Sequence, residues 1–262
     1  MAFLQVAFFS DVLGMCMNMN VILPQQTKRQ IGMVSKDTGG KLPTLYLLHG
    51  LSDDHSIWHR RTSIERYVAD MNLAVVMPTV HRGFYTDQKE GYDYFTFVAE
   101  ELPAICERFF PLSKRREDRF AAGLSMGGYG AMKLGLLLPE RYAAVASLSG
   151  KLDVTAETAD ARYAAEMRRT FGMPEELIDS DNDLFAAAQR LIESEQPHPR
   201  IFVACGTEDF LIEENRAFNK YFGDELRIHY EESPGAHTWD FWDDKIQKVL
   251  DWLPLKERTD AE

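Results

Sequence analysis

The chain has 262 residues, 45% of them hydrophobic and 27% charged, the composition of a globular chain with a core of ordinary size. Its 29 basic and 41 acidic residues give a formal charge of −12; such a surface repels phosphate backbones and anionic lipid and argues against nucleic acid or membrane partners. Cys16, Cys106 and Cys205 are scattered, odd in number and without CxxC spacing, which excludes a disulfide framework and points to a reducing compartment, the cytoplasm.

The N-terminal stretch "MAFLQVAFFSDVLG" has no basic residue before Lys28, so no secretory signal is expected. No apolar run reaches the ~18–20 residues that span a bilayer. "FLQVAFFS" and "MNMNVILP" read as two antiparallel strands with a turn near Gly14. "KDTGGKLP" (36–43) is a turn-rich loop. Five short, almost continuously apolar runs follow: "TLYLLHG", "LAVVMPT", "RFAAGLS", "AAVASLSG" and "RIFVACG". Buried parallel strands have that character. Helical patterns separate them, at 57–71, 92–110 (with a kink at Pro103), 126–138 and 212–222. "LRIHYEES" (226–233) reads as a last strand and 238–252 as a last helix. The alternation predicts one α/β domain over 1–262, a mostly parallel central sheet with helices on both faces. The acidic, helix-rich stretch 151–199 breaks the rhythm and reads as a small helical, cap-like insertion.

"FAAGLSMGGYGAMKLG" (120–135) carries the chemistry. A dinucleotide fingerprint needs a glycine where Ser125 stands and an acidic residue closing the next strand, which ends "ASLSG". A P-loop needs Gly-Lys-Ser/Thr, which the chain lacks. G-x-S-x-G between a strand and a helix instead fits a nucleophile elbow: Ser125 is pushed out on a strained turn, and Gly123 and Gly127 relieve the crowding. A serine needs a base and the base an acid, in the order Ser, acid, His. Among seven histidines, His237 stands in a loop after the last strand, in "ESPGAHTW". The acid is Asp209 in "CGTEDFL", with Glu208 as its rival. The oxyanion donors are the N–H of Met126 and, after "LYLLHG", that of Leu51, with His49 orienting the loop. His55 and His59 have the i, i+4 spacing of helical metal ligands but no H-E-x-x-H glutamate, so no metal and no cofactor is expected. Trp58, Phe84, Tyr85 and Trp239 fall in or beside these loops as candidate walls of the acyl pocket.

Together "LLHGLSDDHSIW", "YDYFTFVAEELPAICERFFP", "GLSMGGYGAMKLGL", "CGTEDFL" and "GAHTWDFW" resemble the esterase D family of α/β-hydrolases, and within it the bacterial tributyrin esterases. The resemblance runs over most of the chain. It implies hydrolysis of short-chain acyl esters, small-molecule substrates, through Ser125, Asp209 and His237 without a cofactor. Sibling S-formylglutathione hydrolases have G-H-S-M-G-G-H-G at the elbow, where this chain has Leu124 and Tyr129; that thioesterase is the alternative activity. A non-catalytic binding protein on the same fold is the other reading, set against the presence of every triad residue. A homo-oligomer is compatible with the sequence.

Overall fold

The computed structural model describes residues 1–29, 31–32, 36–37, 39–155 and 161–255. Eight strands form one sheet: β1 (Ala2–Ser10), β2 (Met15–Leu23), β3 (Thr44–Leu48), β4 (Ala74–Pro78), β5 (Arg119–Leu124), β6 (Ala144–Leu148), β7 (Arg200–Gly206) and β8 (His229–Ser233). Their order is β1-β2-β4-β3-β5-β6-β7-β8. β1 and β2 form an antiparallel hairpin and β2 lies antiparallel to β4; every later pairing is parallel. This is the mostly parallel α/β-hydrolase sheet expected from the alternating pattern.

The central strands read as unbroken apolar runs because both faces are covered. Along β3, Tyr46 and Leu48 join the core on one side of the sheet and Leu45 and Leu47 the core on the other. β7 divides likewise: Ile201 and Val203 face one core, Phe202 and Ala204 the other. Successive strand side chains alternate faces, so a doubly covered strand needs apolar residues at every position.

The helices are α1 (Ile57–Arg61), α2 (Ile64–Tyr67), α3 (Tyr94–Thr96), α4 (Leu102–Phe109), α5 (Met126–Leu137), α6 (Ala161–Phe171), α7 (Pro174–Leu177), α8 (Leu184–Glu193), α9 (Ile212–Phe222) and α10 (Trp239–Trp252). Three expectations differ in detail. The helix expected over 57–71 is two short ones, because Thr62 is extended and its hydroxyl donates to the Trp58 carbonyl at 2.6 Å, closing α1. The segment 92–110 passes through a π-helical stretch, Phe97–Glu101, between α3 and α4. Pro103 has no N–H for the carbonyl of Ala99, so the α register fails just ahead of it. The last strand begins three residues later than expected: Arg227 takes φ 52°, and the N–H groups of Arg227 and Ile228 bond back to Asp224 and Gly223.

The stretch 151–199, of which 156–160 lie outside the described residues, holds α6, α7 and α8. It is anchored to the rest of the fold by polar contacts. Arg82 pairs with Glu166, Lys89 with Glu176 at 2.8 Å, and the Tyr129 hydroxyl donates to the Asn182 carbonyl at 2.9 Å.

Candidate active site

Ser125 follows the last residue of β5 and precedes the first of α5. Its backbone sits at φ 53°, ψ −117°, a region an L-residue enters only under constraint. The constraints are visible on both sides. Its N–H donates to the Leu148 carbonyl of β6 at 2.9 Å, and its carbonyl accepts from the N–H groups of Tyr129 and Lys151. The turn is tight enough that a Cβ on Gly123 would come closer than 3.0 Å to the Gly127 backbone. A Cβ on Gly127 would similarly meet the carbonyls of Leu48 and His49. Glycine at both positions lets the chain cross from β5 to α5 beside the end of β3 with Ser125 between them.

Side chains from three separate loops meet at this turn. The Ser125 hydroxyl lies 3.0 Å from His237 Nε2. His237 Nδ1 lies 3.0 and 2.9 Å from the two oxygens of Asp209. With a carboxylate on Nδ1, that nitrogen carries the proton, and Nε2 is left as the acceptor for the serine. Asp209 follows β7 and is 2% exposed. Burial pushes its carboxyl up, but hydrogen bonds from His237, the Leu211 N–H and the Ser149 hydroxyl outweigh this and hold it below the usual carboxylate range. Glu208, the rival, is exposed and turns the other way: it accepts the Gly235 N–H and the Thr207 hydroxyl, pinning the loop that carries His237.

Three neighbours of this chain of groups were not singled out by sequence. Ser149, at φ 47°, accepts the Trp242 indole N–H at 3.1 Å and donates to Asp209. Trp242 also stands perpendicular to the His237 ring at 4.8 Å, and Phe210 covers another flank of the imidazole at 4.6 Å. Phe210 had a sequence signal, since it adjoins Asp209. Ser149 had none, because its partners lie 60 and 93 positions away.

The loop after β3 approaches the same turn. A Cβ on Gly50 would run into Leu124. The backbone N–H groups of Leu51 and Met126 donate to no acceptor among the described residues, and Met126 opens α5, where the helix dipole adds positive potential. His49 is 1% exposed and fixes this loop. Its Nδ1 lies 2.7 Å from the Gly50 carbonyl and its Nε2 accepts the Val80 N–H at 3.0 Å, so Nδ1 bears the proton. Burial lowers its pKa to about 4, keeping it neutral.

The four aromatic candidates take two kinds of place. Trp58, Phe84 and Tyr85 are buried, at 0–1% exposure. Trp58 donates its indole N–H to Leu48 at 2.9 Å, and Tyr85 its hydroxyl to the carbonyl of His49 at 3.0 Å. Trp239 is half-buried, edge-on to both Trp58 and Trp242. His55 bonds Thr79 through Nδ1 at 2.7 Å, and His59 stacks on Phe3.

Known proteins resemble this chain over almost its whole length. The acetyl esterase of Caldicellulosiruptor saccharolyticus is 35% identical over 97% of this chain and 98% of its own. Among solved structures, the fluorophosphonate-binding serine hydrolase FphF of Staphylococcus aureus superimposes with a TM-score of 0.85 at 32% identity, covering 96% of this chain and 98% of that one. The S-formylglutathione hydrolase FrmB of the same organism gives 0.82 at 32% identity, with the same coverage. The family described as "Putative esterase" matches residues 10–253, and with that span and those relatives the chain belongs to this esterase family.

Proposed function

We propose that the chain is a serine carboxylesterase acting on short-chain acyl esters through Ser125, His237 and Asp209. The observation that supports it most is the unbroken hydrogen-bonded run from Asp209 through His237 to a serine held at positive φ. In this reading His237 takes the Ser125 proton as the serine oxygen attacks the ester carbonyl. The N–H groups of Leu51 and Met126 receive the oxyanion. His237 then protonates the departing alcohol, water enters by the same base, and the carboxylic acid leaves. No step calls for a metal. The preference for a short acyl group draws on the acetyl esterase relative and on the small size of the insertion 151–199 between β6 and β7.

A second reading, hydrolysis of S-formylglutathione, draws on the FrmB likeness, as high in identity as that of FphF. The same residues would serve a thioester. One experiment tests both. A fluorophosphonate should label the wild type and not Ser125→Ala, whose turnover should fall by roughly 10⁴–10⁶-fold. Rates on p-nitrophenyl esters from acetate to palmitate should peak at about two to four acyl carbons, since each fitting methylene adds ~0.8 kcal/mol and one that clashes halts productive binding. Labelling at another residue, or a peak at long chains, would overturn the reading. Far faster turnover of S-formylglutathione would select the thioesterase.

A further inference from the structure

Phe210 is out of place for an aromatic ring. It is 76% exposed, yet it is held against the site rather than projecting from a loose surface. Its neighbours Asp209 and Leu211 are buried, at 2% and 8%, so the chain runs in, out and in, and Phe210 has only the outward direction. The backbone there is fixed: the Asp209 N–H bonds to Gly206, the Leu211 N–H to the Asp209 carboxylate, and the Ile212 N–H to the Asp209 carbonyl. The ring comes to rest 4.6 Å from the His237 imidazole, tilted by 46°.

The two flanks of that imidazole differ. On one, Trp242 is 5% exposed and tied to Ser149, so nothing can enter. On the other, Phe210 leaves most of an apolar face open to solvent. Among the described residues it is the one largely exposed aromatic ring in contact with Ser125, His237 or Asp209. A single exposed ring is ordinary on a protein surface, but this one is held against the His237 imidazole, where it would touch whatever binds beside that ring.

Resting on the esterase reading, the geometry points to Phe210 as the platform for the alcohol half of the substrate, and to esters of apolar, ring-bearing alcohols as the class it favours. The side follows from the chemistry. His237 Nε2 must reach the leaving oxygen to protonate it, so the alcohol's first carbon lies beside the imidazole. A substituent extending outward from there crosses the open face of Phe210. Ring-on-ring packing then adds to the area removed from water.

The test compares benzyl acetate with ethyl acetate, which share an acyl group and release alcohols of similar acidity. The ratio of kcat/KM for benzyl over ethyl ester should fall about five- to tenfold in Phe210→Ala and be retained in Phe210→Trp. Benzyl alcohol, measured as an inhibitor of ethyl acetate hydrolysis, should lose affinity in Phe210→Ala by a similar factor. Equal losses on both esters, with a displaced pH profile, would mean that Phe210 only orients His237 and would overturn the inference. A wild type that hydrolyses both acetates with no benzyl preference and no benzyl alcohol inhibition overturns it while leaving the esterase reading intact. A wild type that hydrolyses neither overturns both.

Discussion

The Tyr85 hydroxyl donates to the carbonyl of His49 at 3.0 Å, from a residue at φ 49° whose ring packs on Gly130 of α5. His49 is thereby held at both ends, its ring by Gly50 and Val80 and its carbonyl by Tyr85. The loop that presents the Leu51 N–H is rigid because buried groups with no freedom to move hold it. Tyr85→Phe removes one hydrogen bond and leaves a carbonyl unpaired, which costs about 1–3 kcal/mol when the group is buried. Thermal unfolding should show that loss; on the proposed role of the Leu51 N–H, kcat should also drop more than KM rises, because an oxyanion donor acts on the transition state.

The elbow makes a stability prediction with two signs. Ala at Gly123 or Gly127 drives a methyl into backbone on a neighbouring segment, where no side chain can swing away; denaturant unfolding should show losses of about 3 kcal/mol or more, or no soluble protein. Ser125→Gly goes the other way. It releases the strain of a non-glycine residue at φ 53°, about 1–3 kcal/mol less the entropy cost of a glycine. It should be inactive and more stable than Ser125→Ala, which keeps the strain.

Much of this was legible in the chain, and what was not had a physical reason. β3 to β7 declared themselves as apolar runs because strands covered on both faces cannot alternate. Ser125, Asp209 and His237 fall where strands end, which chain order alone locates, and the structure brings them within hydrogen-bonding distance. Phe84 and Tyr85, candidate walls of the acyl pocket, show a local feature that the sequence does not announce. Two successive residues at φ 51° and 49° curl their loop inward onto α5, and no sequence pattern for a pair of aromatics announces such a turn. Ser149 closes an apolar run and Trp242 falls inside the last helical pattern, and neither position announces a partner. Their bond spans 93 positions and depends on how α10 lies across β6.

His49 should make the protein acid-sensitive in a defined window. Its folded pKa, about 4, lies below the ordinary histidine value of 6.5. The unfolded chain therefore binds a proton that the folded chain refuses between those values. Stability is full above about pH 6.5 and declines toward pH 4, by roughly 3 kcal/mol in all. His49→Gln removes the titration. Its unfolding free energy, lower at neutral pH, should fall less than that of the wild type from pH 7 to 4.5, and equal slopes would rule out His49 as the source.

Lys133 acts in the same direction as His49 but in a higher pH window. It is 2% exposed on α5, and its ammonium donates to Thr86 Oγ1 at 2.7 Å and to Asn182, 4.4 Å above the centre of the Phe95 ring. Burial lowers its pKa to about 7, against smaller opposing pulls from Asp87 and Asp181. Between pH 7 and about 10.5 the unfolded chain keeps a proton that the folded chain releases, so this residue makes stability rise with pH in that interval. Lys133→Met should abolish that rise. Urea midpoints of the two proteins at pH 7 and pH 9.5 measure it directly, and a gap that fails to change in the wild type's favour would contradict the lowered pKa.

The choice between adjacent carboxylates gives the sharpest test of the site. Asp209 is buried, faces His237 Nδ1 with both oxygens, and is itself fixed by Leu211 and Ser149. An amide there would present an N–H to Nδ1 or force the imidazole to protonate on Nε2, which faces Ser125 and must stay free to accept. Asp209→Asn should therefore lower kcat by about 10³–10⁴-fold with the fold intact. Glu208 touches no part of that chain and only ties Gly235 and Thr207. Glu208→Gln keeps an oxygen for the Gly235 N–H and should cost less than about tenfold, through looser placement of the loop that carries His237. Measured on one short-chain ester at neutral pH, the ratio of the two losses decides the assignment. If Glu208→Gln were the more damaging, the carboxylate that orients His237 in the reacting enzyme would not be the one bonded to it here.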